Sequence, residues 1–116
     1  MAVGTYNYGK HVDGDSLGLV DWSFFLNDTN TVEDLTGATP KIVWRRGSLR
    51  GKVVQTLEVG SGLSWTDQAN GQLRQESFIA NWGVGTYWYD LQITYPDGSI
   101  YTKVQGNMKI TAQSTT

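Results

Sequence analysis

The sequence predicts an all-β domain, a two-sheet antiparallel sandwich of about seven strands. Three observations point there. Val, Ile, Thr, Tyr, Trp and Phe supply 42 of the 116 residues while the helix formers Ala, Glu, Lys and Met supply 15, the residue preference of pleated, half-buried segments. Fourteen glycines and two prolines interrupt the chain so often that only residues 19–36 and 72–82 form long stretches free of both. The first contains the polar run Asn27-Asp28-Thr29-Asn30-Thr31, which leaves only the second with room for a short helix. Turn signals then recur about every 8 to 12 residues, the spacing of sandwich strands.

A chain of 116 residues and 12.9 kDa is the size of one domain with a self-sufficient core. It has no cysteine, so neither a disulfide framework nor a thiolate site enters. A net charge of -2 argues against nucleic-acid partners and a membrane surface. The apolar runs are too short to span a bilayer, and the N-terminus lacks the pattern of a signal peptide.

Residues 1–18 are rich in Gly, Tyr, Asn and Asp without clear alternation, and 1–16 are expected to form an extended N-terminal arm joining the first strand near Leu17. Val20, Trp22, Phe24 and Leu26 alternate with Asp21 and Ser23 as a strand. Residues 27–38 make a long polar connection. Ile42 and Trp44 mark a second strand, residues 52–59 a third and Leu63 with Trp65 a fourth. Asn70-Gly71 reads as a two-residue turn, after which residues 72–77 return. Residues 78–85 read as a helical turn or corner. Tyr87, Tyr89, Leu91, Ile93 and Tyr95 then share one face, and Trp88, Asp90, Gln92 and Thr94 the other. Pro96-Asp97-Gly98 closes a hairpin whose return strand carries Ile100, Thr102, Val104, Met108 and Ile110. The domain body is expected over 17–112, with 113–116 as a C-terminal tail.

Four segments stand in this order: Gly14-Asp15-Ser16-Leu17, Asp34-Leu35-Thr36-Gly37-Ala38-Thr39, Gly85-Thr86-Tyr87-Trp88-Tyr89-Asp90-Leu91, and Pro96-Asp97-Gly98-Ser99 followed by Gly106. Together they resemble the immunoglobulin-like domain of bacteriophage virion proteins, found at the N-terminus of baseplate upper proteins and in tail, fibre and head-associated proteins. The resemblance spans roughly residues 12–112. It implies an immunoglobulin-like sandwich and a structural, non-enzymatic role in a virion assembled in the host cytoplasm. The implied partners are capsid or tail subunits and further copies of the chain, with no cofactor.

The same segments have readings of their own. Leu35 can anchor a long loop on the core, Gly37 permits a backbone angle closed to other residues, and Asp34 or Thr36 can bond nearby amides. Tyr87, at the start of a strand just after a corner, has the position from which its hydroxyl can return to the upstream backbone.

The residues give no catalytic or metal constellation. A nucleophilic triad needs a base, and the single histidine, His11, lies in the arm, which argues against a Ser-His-Asp enzyme. Asp13-Gly14-Asp15 lacks the further oxygen ligands of a Ca²⁺ loop and reads as a turn, as does Gly83-Val84-Gly85. Glu33-Asp34, Glu58 and Glu76 are expected as solvated charges. The aromatics carry more information: Trp22, Trp44, Tyr87 and Tyr89 sit among aliphatic residues and belong in the core, and Trp65 and Trp82 fit either place. Trp88 shares its face with polar residues and points outward. Tyr6, Tyr8 and His11 in the arm, together with Trp88, form the candidate assembly interface. An alternative is a carbohydrate-binding module in which an exposed Trp stacks on a host surface glycan.

Overall fold

A computed structural model of the chain describes residues 4–26 and 31–112, so residues 1–3 of the arm, residues 27–30 of the polar connection and the tail 113–116 lie outside the described residues. The fold is all-β, with 61% of the described residues in strands. The strands are β1 (Gly4–Thr5), β2 (Gly9–Val12), β3 (Ser16–Leu17), β4 (Val20–Ser23), β5 (Thr39–Arg46), β6 (Val53–Val59), β7 (Gly62–Asp67), β8 (Gln72–Gln75), β9 (Phe78–Ile79), β10 (Gly85–Thr94) and β11 (Ile100–Thr111).

One sheet runs β1-β11-β10-β5-β6-β7-β8-β4, with β2 also paired to β11, while β3 and β9 form a separate two-stranded sheet. The main sheet is mixed rather than antiparallel, because β1 and β2 run parallel to β11 and β6 runs parallel to β7. The β6–β7 link has only two residue pairs, Glu58 with Gly62 and Val59 with Leu63. There the sheet curls, and its β7-β8-β4 part closes over the β11-β10-β5 part. Trp22 on β4 comes within 6.2 Å of Tyr89 on β10, ring centre to ring centre.

The register of β10 follows the sequence alternation. Tyr87, Tyr89, Leu91 and Ile93 are fully buried, and the residues between them are half-buried on the outer face. Leu91→Ala is expected to cost about 2 to 5 kcal/mol, and Gln92→Ala less than about 0.5 kcal/mol, in chemical denaturation.

On β11 the simple alternation fails. A bulge lets Leu91 pair with Val104 and Gln92 with Thr102, leaving Lys103 extra. Thr102 therefore turns outward while Val104, Met108 and Ile110 stay against the core, and Lys103 is re-aimed into a buried position.

The turns follow local chemistry, with two departures. In the β10–β11 hairpin the Tyr95 amide donates to Ser99 O and the Gly98 amide to Tyr95 O. Leu35 is buried as the loop's anchor, Asp34 Oδ1 accepts the Thr36 amide at 3.0 Å, and Gly37 has a φ of 81°. The expected Asn70-Gly71 turn is instead a 3-10 turn over Gln68–Asn70 that ends on left-handed Gly71. Gln68 holds it in place by donating its side-chain amide to Leu35 O and Ala38 O. Residues 78–85 contain no helical turn. Phe78 and Ile79 pair with Leu17 and Ser16, and the chain then rounds a corner.

Candidate functional site

The N-terminal segment, expected as an arm outside the sandwich, is part of the sheet. Gly4 and Thr5 pair with Val104 and Gln105, and Gly9 to Val12 pair with Met108 to Thr111. Between them the Tyr6 amide donates to Gln105 O, the Tyr8 amide to Asn107 O, and Asn7 Oδ1 accepts the Asn107 amide. The described segment from residue 4 onward thus belongs to the folded unit, which was expected to start near residue 17. The physical reason is that the last strand would otherwise expose a row of unpaired backbone groups, which the segment covers.

Gly106 makes the close approach possible. A Cβ there would stand 1.9 Å from the Tyr6 carbonyl oxygen. Gly106→Ala is expected to push Tyr6 off β11 and cost about 1 to 3 kcal/mol, with raised hydrogen exchange at the Tyr6 and Tyr8 amides.

The four candidate interface residues occupy different settings. Tyr8 is turned into the fold, its ring 5.1 Å from that of Trp44 and 5.3 Å from that of Tyr89, and its hydroxyl donates to fully buried Gln75 Oε1 at 3.1 Å. Tyr6 packs edge-on against Tyr8 and Trp22 but stays 44% exposed, and its carbonyl accepts the Tyr89 hydroxyl at 2.6 Å. His11 donates from Nε2 to Asp15 O at 3.0 Å. Trp88 stands on the outer face of β10, cross-strand from Asn107 on one side and Arg45 on the other. The first three do not join Trp88 in one surface, since Tyr8 faces the core from β11's far edge. What remains available on the outer face is Trp88 with Asp90, Gln92, Arg45 and Asn107. Burial there pushes the Asp90 carboxyl up, against the pull of Arg45.

The corner ahead of β10 is fixed by Tyr87, whose hydroxyl donates to Trp82 O at 2.8 Å and Gly83 O at 2.9 Å. Trp82 itself is half-buried against Trp44 and Tyr87. The Gly83 amide donates to Asp13 Oδ1 at 3.1 Å, which ties the N-terminal segment to the same corner.

A second polar centre was not visible in the sequence. Glu33, expected in solvent, is 6% exposed, and its Oε1 lies 3.1 Å from Nζ of Lys103, itself 9% exposed. Glu33 Oε2 accepts the Tyr95 hydroxyl at 2.6 Å. The group borders an open cleft of about 500 Å³ lined by Glu33, Tyr95, Pro96, Asp97, Ser99 and Tyr101. The one trace of it in the sequence is a lysine, Lys103, among the apolar and hydroxyl residues of the closing strand.

Burial pushes the hydroxyls of Tyr8, Tyr89 and Tyr95 above the ordinary value of 10.0. An acid whose folded-state pKa is raised contributes its full stability below its unfolded pKa and loses it as pH rises beyond that value. Stability is therefore expected to fall above pH 10, by about 1.4 kcal/mol per pH unit for fully buried Tyr89 alone. Urea midpoints measured across pH 8 to about 11 test this; a flat profile contradicts it.

Among the described residues no group of three or more His, Cys, Asp or Glu is placed to hold a metal ion, and no helix is long and apolar enough to cross a membrane. The chain matches no protein-family model and no curated protein.

Proposed function

We propose that the chain is an immunoglobulin-like structural module of a bacteriophage virion, acting by protein-protein assembly and without catalysis. The observation that carries the fold half of this reading is the combination of strand order and corner. The β4-β8-β7 part faces the β11-β10-β5-β6 part, the first strands lie parallel on the last, a tyrosine corner opens β10 and Trp44 is buried on β5. These features support an immunoglobulin-like reading, since in that arrangement a strand-C Trp packs beside an inter-sheet disulfide placed two residues after the corner Tyr. Here Tyr89 stands two residues after Tyr87 and meets Trp22 of the facing strand, so ring contacts occupy the place of the bridge. The four segments that resemble the phage family fall at the turns and strands that define this arrangement, which supports the virion half.

The outer face of β10 around Trp88 is the docking surface this reading favours, because Trp and Arg are the side chains that most often anchor interfaces. A mass-spectrometric inventory of purified particles tests the proposal. The chain should copurify in multiple copies, and Trp88→Ala should lower its incorporation while shifting its melting temperature by no more than about 2 to 4 °C, the effect of about 0.5 kcal/mol. Particles without the chain overturn the reading. A second reading, glycan binding, draws on the same half-exposed Trp88 between Asn107 and Arg45; quenching of tryptophan fluorescence by sugar, lost in Trp88→Ala, would favour it.

A further inference from the structure

We infer that the two ends of the sandwich are complementary docking surfaces, through which one copy of this chain binds head-to-tail to a second copy. The charges are segregated along the strands. At the end where β10 begins stand Arg45 and Arg46 at the close of β5, Arg50 and Lys52 in the β5–β6 connection, and Lys109 on β11. Lys10 on β2 lies directly opposite Lys109. Six of the nine cations are thus gathered there against three acids, Asp13, Asp15 and, on the outer face of β10 within the field of Arg45, Asp90. Among the described residues the ion pairs are Arg74 with Asp21 and Lys103 with Glu33, so none of the six is paired within the chain.

The opposite end has the other sign. Asp97 lies in the β10–β11 turn, Asp34 in the loop whose Gly37 abuts Pro96, and Asp67 at the end of β7 beside the Gln68 that holds Leu35. All three are exposed. Each carboxylate is held in place by a neighbour: Thr36 donates to Asp34, Ser99 to Asp97 and Asn70 to Asp67. Those bonds hold Asp34 and Asp97 below the usual carboxylate range, so both are ionised at neutral pH. The described cations at this end are Lys103, matched by Glu33, and Lys41, which stands directly opposite Glu58 across β5 and β6.

Like charges directly opposite across strands are unfavourable, as Lys10 and Lys109 are, and a fold gains nothing from keeping them without a partner. The partner surface that fits is on the page: the aspartate end of another copy. The ten residues of β10 hold the two ends roughly 33 Å apart, several screening lengths at physiological salt, which is about 8 Å. One molecule therefore cannot neutralise its own ends, whereas contact between molecules can. Because the two surfaces differ, the contact is heterologous and repeats from copy to copy, giving rings or filaments. This inference is independent of the virion reading and fails or stands on its own.

Sedimentation velocity of the full chain tests it. At about 0.01 M salt, where charges act over about 30 Å, the weight-average sedimentation coefficient should rise with protein concentration. At about 1 M, where screening cuts that range to about 3 Å, it should return to the monomer value. Arg50→Glu/Lys52→Glu and Asp34→Asn/Asp97→Asn should each stay monomeric alone, the asparagines keeping the turn bonds while removing charge. An equimolar mixture of the two should associate again, because each retains the end the other lacks. A wild-type coefficient independent of concentration at low salt overturns the inference. So does association that persists at high salt or in either variant alone.

Discussion

Tyr8→Ala is expected to destabilise the protein by about 3 to 5 kcal/mol, the cost of truncating a buried aromatic ring. The ring meets Trp44 and Tyr89, so its removal opens a cavity where the two parts of the sheet close on each other. Its hydroxyl also holds Gln75, whose side-chain amide nitrogen meets no acceptor among the described residues. Without Tyr8, Gln75 is left wholly unpartnered in a site with no exposure, which costs about 1 to 3 kcal/mol by itself. Tyr8→Phe isolates that second contribution. Guanidinium unfolding of the three proteins separates cavity from hydrogen bond, and a Tyr8→Ala protein as stable as wild type would return the segment to a free arm.

Local chemistry made much of the fold legible. The alternation from Tyr87 to Ile93, the Pro96-Asp97-Gly98 hairpin, the Leu35 anchor and the Tyr87 corner all depend on residues close together in the chain, and the structure has each of them. What was hidden depends on partners far away in sequence. Residues 4–12 pair with a strand about 100 residues later, and parallel pairing leaves no turn signal to announce it. Tyr6 and Tyr8 therefore looked like rings in search of a neighbouring subunit, when the neighbour for Tyr8 is the chain's own core. Of the expected interface residues, Trp88 keeps the outward setting its polar neighbours implied. The bulge at Lys103 was equally invisible, because a single extra residue changes which face each later side chain takes.

The second large effect belongs to that bulge. Lys103→Met is expected to cost about 3 to 5 kcal/mol, because among the described residues it leaves the buried Glu33 carboxylate bonded only by the Tyr95 hydroxyl. The lysine stem also lies over the Tyr95 ring, with Nζ 5.5 Å from its centre, but methionine retains most of that apolar contact. The loss is therefore electrostatic, and a compensating change shows it. Glu33→Gln combined with Lys103→Met removes both charges and should recover most of the stability, since replacing a buried pair is far less costly than breaking one. The double-mutant cycle is measured by denaturant unfolding at pH 7. Additive losses would mean that the two residues do not interact, and that the cleft beside Tyr95 and Tyr101 is built on something else.

Both effects follow from one claim, that residues 4 to 111 fold as a single unit in which the first strands close the edge beside the last and plug the core with Tyr8. Native-state hydrogen exchange read at the Tyr8 amide, which donates to Asn107 O at 2.9 Å, tests it most directly. The prediction is protection within about 1 kcal/mol of that of the β10 amides, the level of global unfolding. Exchange at the rate of an unstructured peptide, with β10 still protected, would contradict it.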